Sequence, residues 1–276
     1  MSPVHTGTHF SNPDSDVFPP EPDADQRWST WTEVTPTQRG PLPRPDWLVT
    51  AAGAFDTELG AVKSGKEAEV HLIERAVPGT TGCLLAAKRF LNSQHSDFHR
   101  SSVYTEGRAI RDSREARAVK RKSAFGRRVA AGQWAFTEFA ALVQAYTAGL
   151  PVPYPVQVND TEILMEFIGY DQVAAPRLVQ SRRSGAALAQ AYRQVVNILE
   201  SFVHMGYVHG DLSPYNLLDD GDRIVVIDLP QVVDLIANPM GLDFLHRDVV
   251  NVSTWFNRRG LNTDPEALFA DLVAQM

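Results

Sequence analysis

Apolar positions along the chain change period several times, and each change marks an element. Over residues 59–72, LGAVKSGKEAEVHL, short alternating segments flank a Ser64-Gly65-Lys66 turn, the pattern of two strands joined at a tip. A Pro-Gly-rich turn at 77–82 leads into CLLAAKRF, residues 83–90, an apolar strand run that contains Lys88. The period then becomes helical: in WAFTEFAALVQAYTA, residues 134–148, Phe139, Leu142, Val143 and Tyr146 recur at i, i+3, i+4 and i+7. The prolines at 151–155 stop that helix, and strands follow over 154–158 and 162–168, joined at Asn159-Asp160. The longest amphipathic helix is expected over 186–205, with Leu188, Tyr192, Val195, Leu199 and Phe202 on one stripe and Gly206 as its stop. It runs directly into a polar loop at 209–216, and a turn rich in Asp and Gly leads from there to the strand IVVID, residues 224–228.

Composition changes the picture at the N-terminus. Nine of the eighteen prolines fall in residues 1–45, within a segment rich in Asp, Ser and Thr, which predicts a largely disordered tail over 1–48. Trp28, Trp31 and Trp47 are out of character for disorder, so packing of 28–48 onto the neighbouring lobe, or onto a partner, stays open. With 43% hydrophobic residues the chain can bury a sizeable core. A single cysteine, Cys83, excludes an internal disulfide and agrees with a reducing cytosol, so a cytoplasmic location is expected. No charged segment precedes an apolar one at the N-terminus, and no apolar run approaches ~18 residues, so neither secretion nor membrane spanning is indicated.

The candidate chemistry is concentrated in HGDLSPYNLLDDGDRIVVID, residues 209–228. Asp211 and Asn216 lie five residues apart on one loop and Asp228 ends the following strand, so one hairpin brings three oxygen donors to one rim. Phosphoryl transfer requires such a set: Asp211 to engage the acceptor hydroxyl, Asn216 and Asp228 to hold magnesium. Singly, each is an ordinary turn residue. The meaning comes from their order, after an apolar helix and before a buried strand. Upstream, Lys88 on a half-buried strand must either snorkel to solvent or find an anionic partner, and ATP phosphates plus Glu138 of the 134–148 helix would supply one. Backbone N–H groups of the Ser64-Gly65-Lys66 turn would lie over phosphates. That turn matches neither G-x-x-x-x-G-K-[ST] nor G-x-G-x-x-G, and a plain hairpin is its alternative reading. The strand EILMEFIG ends where a hinge would lie, so the Glu166 carbonyl and Ile168 amide would bond an adenine edge, with Met165 either behind the ring or simply packed in the core.

SGKEAEV, AAKRF, PVPYP, LMEFIG, HGDLSPYN and IDLPQVVD together resemble the RIO family of atypical serine/threonine protein kinases, from about residue 59 to about residue 256. FLHRDVVNVSTWF, residues 244–256, resembles the family's final helix. Aminoglycoside and choline kinases share the HGD-x-x-x-x-N loop but do not resemble SGKEAEV or IDLPQ. The resemblance implies an α+β, bilobal protein-kinase-like fold: a small antiparallel-sheet lobe over 49–168 and a trimmed, mainly helical lobe over 169–276. It implies ATP and Mg2+ as cofactors, with Mn2+ as an alternative. Ser64, Gly65 and Lys66 would lie over the phosphates, Lys88 on them, and Glu138 would orient Lys88. Asp211 would be the catalytic aspartate, and Asn216 and Asp228 the metal ligands. Val62, Glu67, Val70, Met165, Glu166, Ile168, Tyr215 and Leu218 would complete the nucleotide site. Glu69 stands where Asp or Asn is more usual. His209-Gly210 replaces the His-Arg of ordinary kinases, so control by a phosphorylated activation loop is not expected. The 48 residues from 229 to 276 are too few for an activation segment, an A-P-E motif and peptide-binding helices.

A net charge of -7 argues against general nucleic-acid affinity, yet residues 106–128 carry nine Arg or Lys against three acids. A solvated helix or loop competes there with an RNA or ribosomal-particle contact, and the scarcity of aromatics does not support base stacking. Three functions remain: phosphoryl transfer to a protein Ser or Thr or slowly to water, ATP-gated assembly in which hydrolysis drives release and Asp228 accepts phosphate, and phosphorylation of a small molecule. The last is disfavoured because no acceptor pocket is evident after Asn216. The protein substrate is not legible in the sequence.

Overall fold

The computed structural model describes residues 21–91, 124–229 and 232–276. Six strands form one antiparallel sheet in the order β1-β2-β3-β4-β6-β5: β1 (Gln26–Trp28), β2 (Phe55–Ser64), β3 (Ala68–Ala76), β4 (Cys83–Phe90), β5 (Pro155–Asn159) and β6 (Glu162–Glu166). Alternation along the central strands gives the sheet two apolar faces. One face packs on helix α1 (Ala124–Thr147) through Ala135 and Phe139 against Val158 and Ile163. The other gathers Ile73, Leu85, Ala87, Val156 and Leu164 around Trp31 and Leu48.

That second face takes up the alternative left open for residues 28–48. Residues 21–48 are ordered onto the sheet: β1 pairs with β2, and Trp31 is only 5% exposed. The physical reason is that among the described residues no α-helix covers this side, and the N-terminal segment buries its apolar surface with Trp31, carried on a short 3-10 turn, and Leu48. A buried polar network fixes the seam. Arg75 donates to both Asp56 oxygens (2.6 and 2.9 Å) and to Gln157 (3.0 Å), and Gln157 donates to Thr30 Oγ1 (2.7 Å). The remainder of the expected tail, residues 1–20, lies outside the described residues.

Helix α1 begins ten residues before the predicted helix, and its acidic residue Glu138 faces the sheet rather than solvent. Strand β6 stops at Glu166. Hairpin β7–β8 (Gly169–Tyr170, Val173–Ala174) then leads into the second lobe, built from α2 (Gly185–His204), α3 (Gly241–Arg258) and α4 (Pro265–Val273). Leu188, Val195, Leu199 and Phe202 of α2 pack against Phe244, Leu245, Val249 and Phe256 of α3 in one core. Gly206 takes φ +76° just after α2, a left-handed position that suits glycine and turns the chain at once into β9 (Tyr207–Val208). Beyond it, β10 (Leu217–Asp219) and β11 (Ile224–Val226) form the expected hairpin, and β12 (Val233–Asp234) returns to pair with β9. No helix among the described residues is long and apolar enough to cross a membrane.

Candidate active site

Lys88 is the centre of the site. Its Nζ lies 2.6 and 2.7 Å from the two carboxylate oxygens of Glu138 and 2.5 Å from Asp228 Oδ1. Strand β4 supplies the lysine, α1 the glutamate and the segment after β11 the aspartate, so three elements distant in sequence converge on one ammonium. Burial alone pulls the Lys88 ammonium down, but the two carboxylates reverse this and hold it above the ordinary lysine value. Burial pushes the Glu138 carboxyl up, against the pull of Lys88. For Asp228 burial also works upward, but Lys88, then Lys63, bring it below the usual carboxylate range, so it stays ionised. Asp228 sits two residues past β11 with φ +68°, in the left-handed region that few non-glycine residues adopt.

The loop between β9 and β10 is held from below. Asp248 of α3, itself buried, accepts the Gly210 N–H on one carboxylate oxygen (2.8 Å) and the Leu212 N–H on the other (2.7 Å). Arg247, next to it, donates to the Gly210 carbonyl. These contacts straddle Asp211 and fix the backbone that presents it. Burial pushes the Asp248 carboxyl up to about 7 despite the two amides. Burial likewise brings buried His209 down to about 4, so its ring is neutral near pH 7, and Nδ1 accepts the Asp211 N–H at 3.3 Å.

Asn216 completes the rim. Its Nδ2 donates to the Asp211 carbonyl (2.8 Å), which leaves Oδ1 as the free donor atom, and its own carbonyl accepts the Ile227 N–H (2.9 Å), one residue from Asp228. The sequence places Asp211, Asn216 and Asp228 on one hairpin, and the hydrogen bonds keep them there. A magnesium ion fits this donor set: hard oxygen ligands, one of them an ionised carboxylate, with phosphates to complete the shell. Among the described residues no group of three or more His, Cys, Asp or Glu could cage a metal alone.

The other expected residues are placed as follows. The Ser64-Gly65-Lys66 turn forms the tip of the β2–β3 hairpin, closed by the Gly65 N–H to the Ala68 carbonyl (3.0 Å). Glu67 flanks it and its carbonyl accepts the Leu91 N–H (2.8 Å). Val70 pairs with Lys88 and Met165 with Ala86, so Val70 and Met165 stand on the Lys88 face of the sheet. Val62 has no cross-strand partner. The Glu166 side chain accepts the Tyr154 N–H (3.0 Å) and an Arg223 N–H (3.2 Å), while buried Ile168 uses its carbonyl for the Ala175 N–H (3.0 Å). Leu218 lies on β10 opposite Val225, and Tyr215 on the loop is largely exposed. Residues 92–123, most of the basic segment, lie outside the described residues. Its end forms the first turn of α1, where Arg128 pairs with Asp160.

Two charged residues of this site, Asp248 and Lys63, were not anticipated. Asp248 had a signal, because it falls on the apolar stripe of Phe244, Leu245, Val249, Val252 and Phe256, where a carboxylate is out of place without partners. Lys63, whose Nζ is 3.8 Å from Asp228 Oδ2, had none.

A family model described as the RIO domain matches residues 86–268. The chain is 34% identical over 217 residues to the RIO-type serine/threonine-protein kinase Rio1 of Haloferax volcanii, which covers 79% of this chain and 69% of that protein. It is 30% identical over 217 residues to the serine/threonine-protein kinase RIO3 of Mus musculus, covering 76% of this chain but 40% of that protein. Among solved structures, the Rio2 kinase from Chaetomium thermophilum superposes with a TM-score of 0.58 at 22% identity, over 79% of this chain and 63% of that one. A second Rio2 structure, described as an ADP/Mg2+-phosphoaspartate complex, gives 0.55 at 20% identity over 79% and 62%. These two establish the likeness of fold, a bilobal protein-kinase-like one.

Proposed function

The chain belongs to the RIO family of atypical serine/threonine protein kinases, and from that premise we propose that it transfers the γ-phosphoryl group of Mg-ATP to a protein Ser or Thr hydroxyl, and slowly to water. The observation that carries the proposal is the Glu138–Lys88–Asp228 cluster, three charged groups joined at 2.5–2.7 Å beside the loop of Asp211 and Asn216. A lysine oriented by a helix glutamate is a fixed positive charge for phosphate oxygens, and electrostatic stabilisation is the main demand of phosphoryl transfer. Asp211, on a loop clamped by Asp248, accepts the proton of the attacking hydroxyl and aligns it. Asn216 and Asp228 would hold the metal, which would supply positive charge against the phosphates. The hairpin tip of 64–66 covers the phosphates, with the Gly65 N–H kept within the turn on the Ala68 carbonyl, and Met165 with residues 166–168 receives the base.

A second reading is favoured by Asp228 itself, which is ionised, held in a left-handed backbone conformation and in contact with Lys88. Here Asp228 attacks the γ-phosphorus, ADP leaves, and water later cleaves the aspartyl phosphate, so that hydrolysis serves as a release step. The Rio2 complex described as containing phosphoaspartate supports the analogy. Residues 106–128 are the proposed contact with RNA or a ribosomal particle in either reading, and an intracellular, cytoplasmic setting fits both.

The test is incubation with γ-labelled ATP, with and without a generic protein acceptor. Label on Ser or Thr of the acceptor supports the first reading, and acid-labile, hydroxylamine-sensitive label on the chain supports the second. No transfer by wild type, or full transfer by Lys88→Met, would overturn both.

A further inference from the structure

Lys63 lies on β2 just before the hairpin tip. Lys63 pairs with Val70, and Val70 pairs with Lys88, so the three side chains share one face of the sheet. Two register slips precede it: one between Glu58 and Gly60 leaves Leu59 unpaired, and one between Ala61 and Lys63 leaves Val62 unpaired. The first turns Ala61 with His71 to the opposite face, and the second reverses it, so Lys63 stands with Phe55 and Thr57 on the face of Val70 and Lys88.

Its ammonium faces Asp228 Oδ2 at 3.8 Å, while Lys88 occupies Oδ1 at 2.5 Å. Two carboxylates and two ammonium groups therefore balance in this cluster. One carboxylate cannot hold both Lys63 and a divalent cation at full strength, because like charges a few ångström apart repel. The Lys63 side chain is 43% exposed against 11% for Lys88, so Lys63 is the partner able to turn away. The strand order gives the direction. The hinge strand β6 borders β4, and β2 lies two strands beyond β4, roughly 10 Å further across the sheet. A nucleotide with its base at the hinge thus reaches Lys88 first and Lys63 last.

We propose that Lys63 is a ligand for the terminal phosphate of ATP, released from Asp228 as Mg-ATP binds. The proposal rests on the kinase reading above. Lys63 distinguishes ATP from ADP, because only ATP has a phosphate at that end of the site.

The test is calorimetric titration of ATP and of ADP, with magnesium and with EDTA, into wild type, Lys63→Met, Lys63→Arg and Lys88→Met. Lys63→Met should weaken ATP by about tenfold, the weight of one partly exposed charge-assisted hydrogen bond, and ADP by less than about twofold. Lys63→Arg, which keeps the charge, should restore most of the ATP affinity. An ATP-to-ADP affinity ratio in Lys63→Met equal to that of wild type overturns the proposal. If that occurs while Lys88→Met loses affinity for both nucleotides, only the role of Lys63 falls. If Lys88→Met also binds both normally, the kinase reading falls with it.

Discussion

Lys88→Met tests the centre of the site through stability rather than turnover. Methionine keeps the length of the chain and removes the charge, leaving Glu138, which is 4% exposed, with a buried carboxylate and no cation. Removing one partner of a buried pair costs about 3–5 kcal/mol, a large share of the roughly 5–15 kcal/mol that holds a domain folded. The Asp228 side chain is 32% exposed and regains water, so most of the cost falls on Glu138. Glu138 can escape by taking a proton. Burial already pushes its carboxyl up, and the substitution deletes Lys88, the principal influence in the other direction. A carboxyl raised above its unfolded value binds its extra proton in the folded state, so stability is greatest at low pH and is lost as pH rises through the folded value. The deficit of Lys88→Met relative to wild type should therefore be greatest above the folded value of Glu138 and shrink as pH falls toward the ordinary carboxylate range, by ~1.4 kcal/mol for each pH unit over which Glu138 takes up its proton. Urea unfolding, followed by tryptophan fluorescence and circular dichroism, measures the deficit. Lys88→Met with Glu138→Gln should recover stability over Lys88→Met alone above that folded value, because it removes the orphaned charge. A deficit that does not change with pH, or a double variant no more stable than the single one, would refute the buried pair.

Further outcomes follow from the same geometry. Asp211→Ala should bind Mg-ATP nearly as wild type but lose ~10²-fold or more in turnover, whereas Asp228→Ala should lose the magnesium-dependent part of its affinity, both read by calorimetry beside a steady-state assay. Asp248→Asn sets an NH2 group against a backbone N–H of Gly210 or Leu212, so it should cost about 1–3 kcal/mol in urea unfolding and lower turnover more than ATP affinity. The same variant should steepen the rise of stability between about pH 4 and 6.5. His209, lowered to about 4, makes the folded state more stable as pH rises through that window, and Asp248, raised to about 7, opposes it until removed. Trp31→Ala should cost about 3–5 kcal/mol in unfolding while nucleotide affinity changes little, since Trp31 fills the face of the sheet away from Lys88.

Local order along the chain determined much of this protein. The i, i+3, i+4 stripes give α2 nearly as found and the second half of α1, and Lys88 in an apolar strand asks for solvent or an anionic partner, of which the fold supplies the second. The spacing of Asp211, Asn216 and Asp228 is legible because hairpins are local, and a local contact follows from residue types and turn chemistry alone. Asp248 was readable in principle, as a carboxylate on an apolar stripe, but its partners lie 36 and 38 residues away and nothing local names them. The fate of residues 21–48 was decided elsewhere: proline-rich composition argues for disorder, yet an uncovered apolar sheet face takes in Trp31 and Leu48 once β3, β4 and β6 have assembled. Lys63 is the clearest case. Its side of the sheet depends on two slips that cancel, one leaving Leu59 unpaired and the other Val62, and either alone would reverse which side chains meet the cleft. Register is a property of two strands together, so only the tertiary structure could assign it.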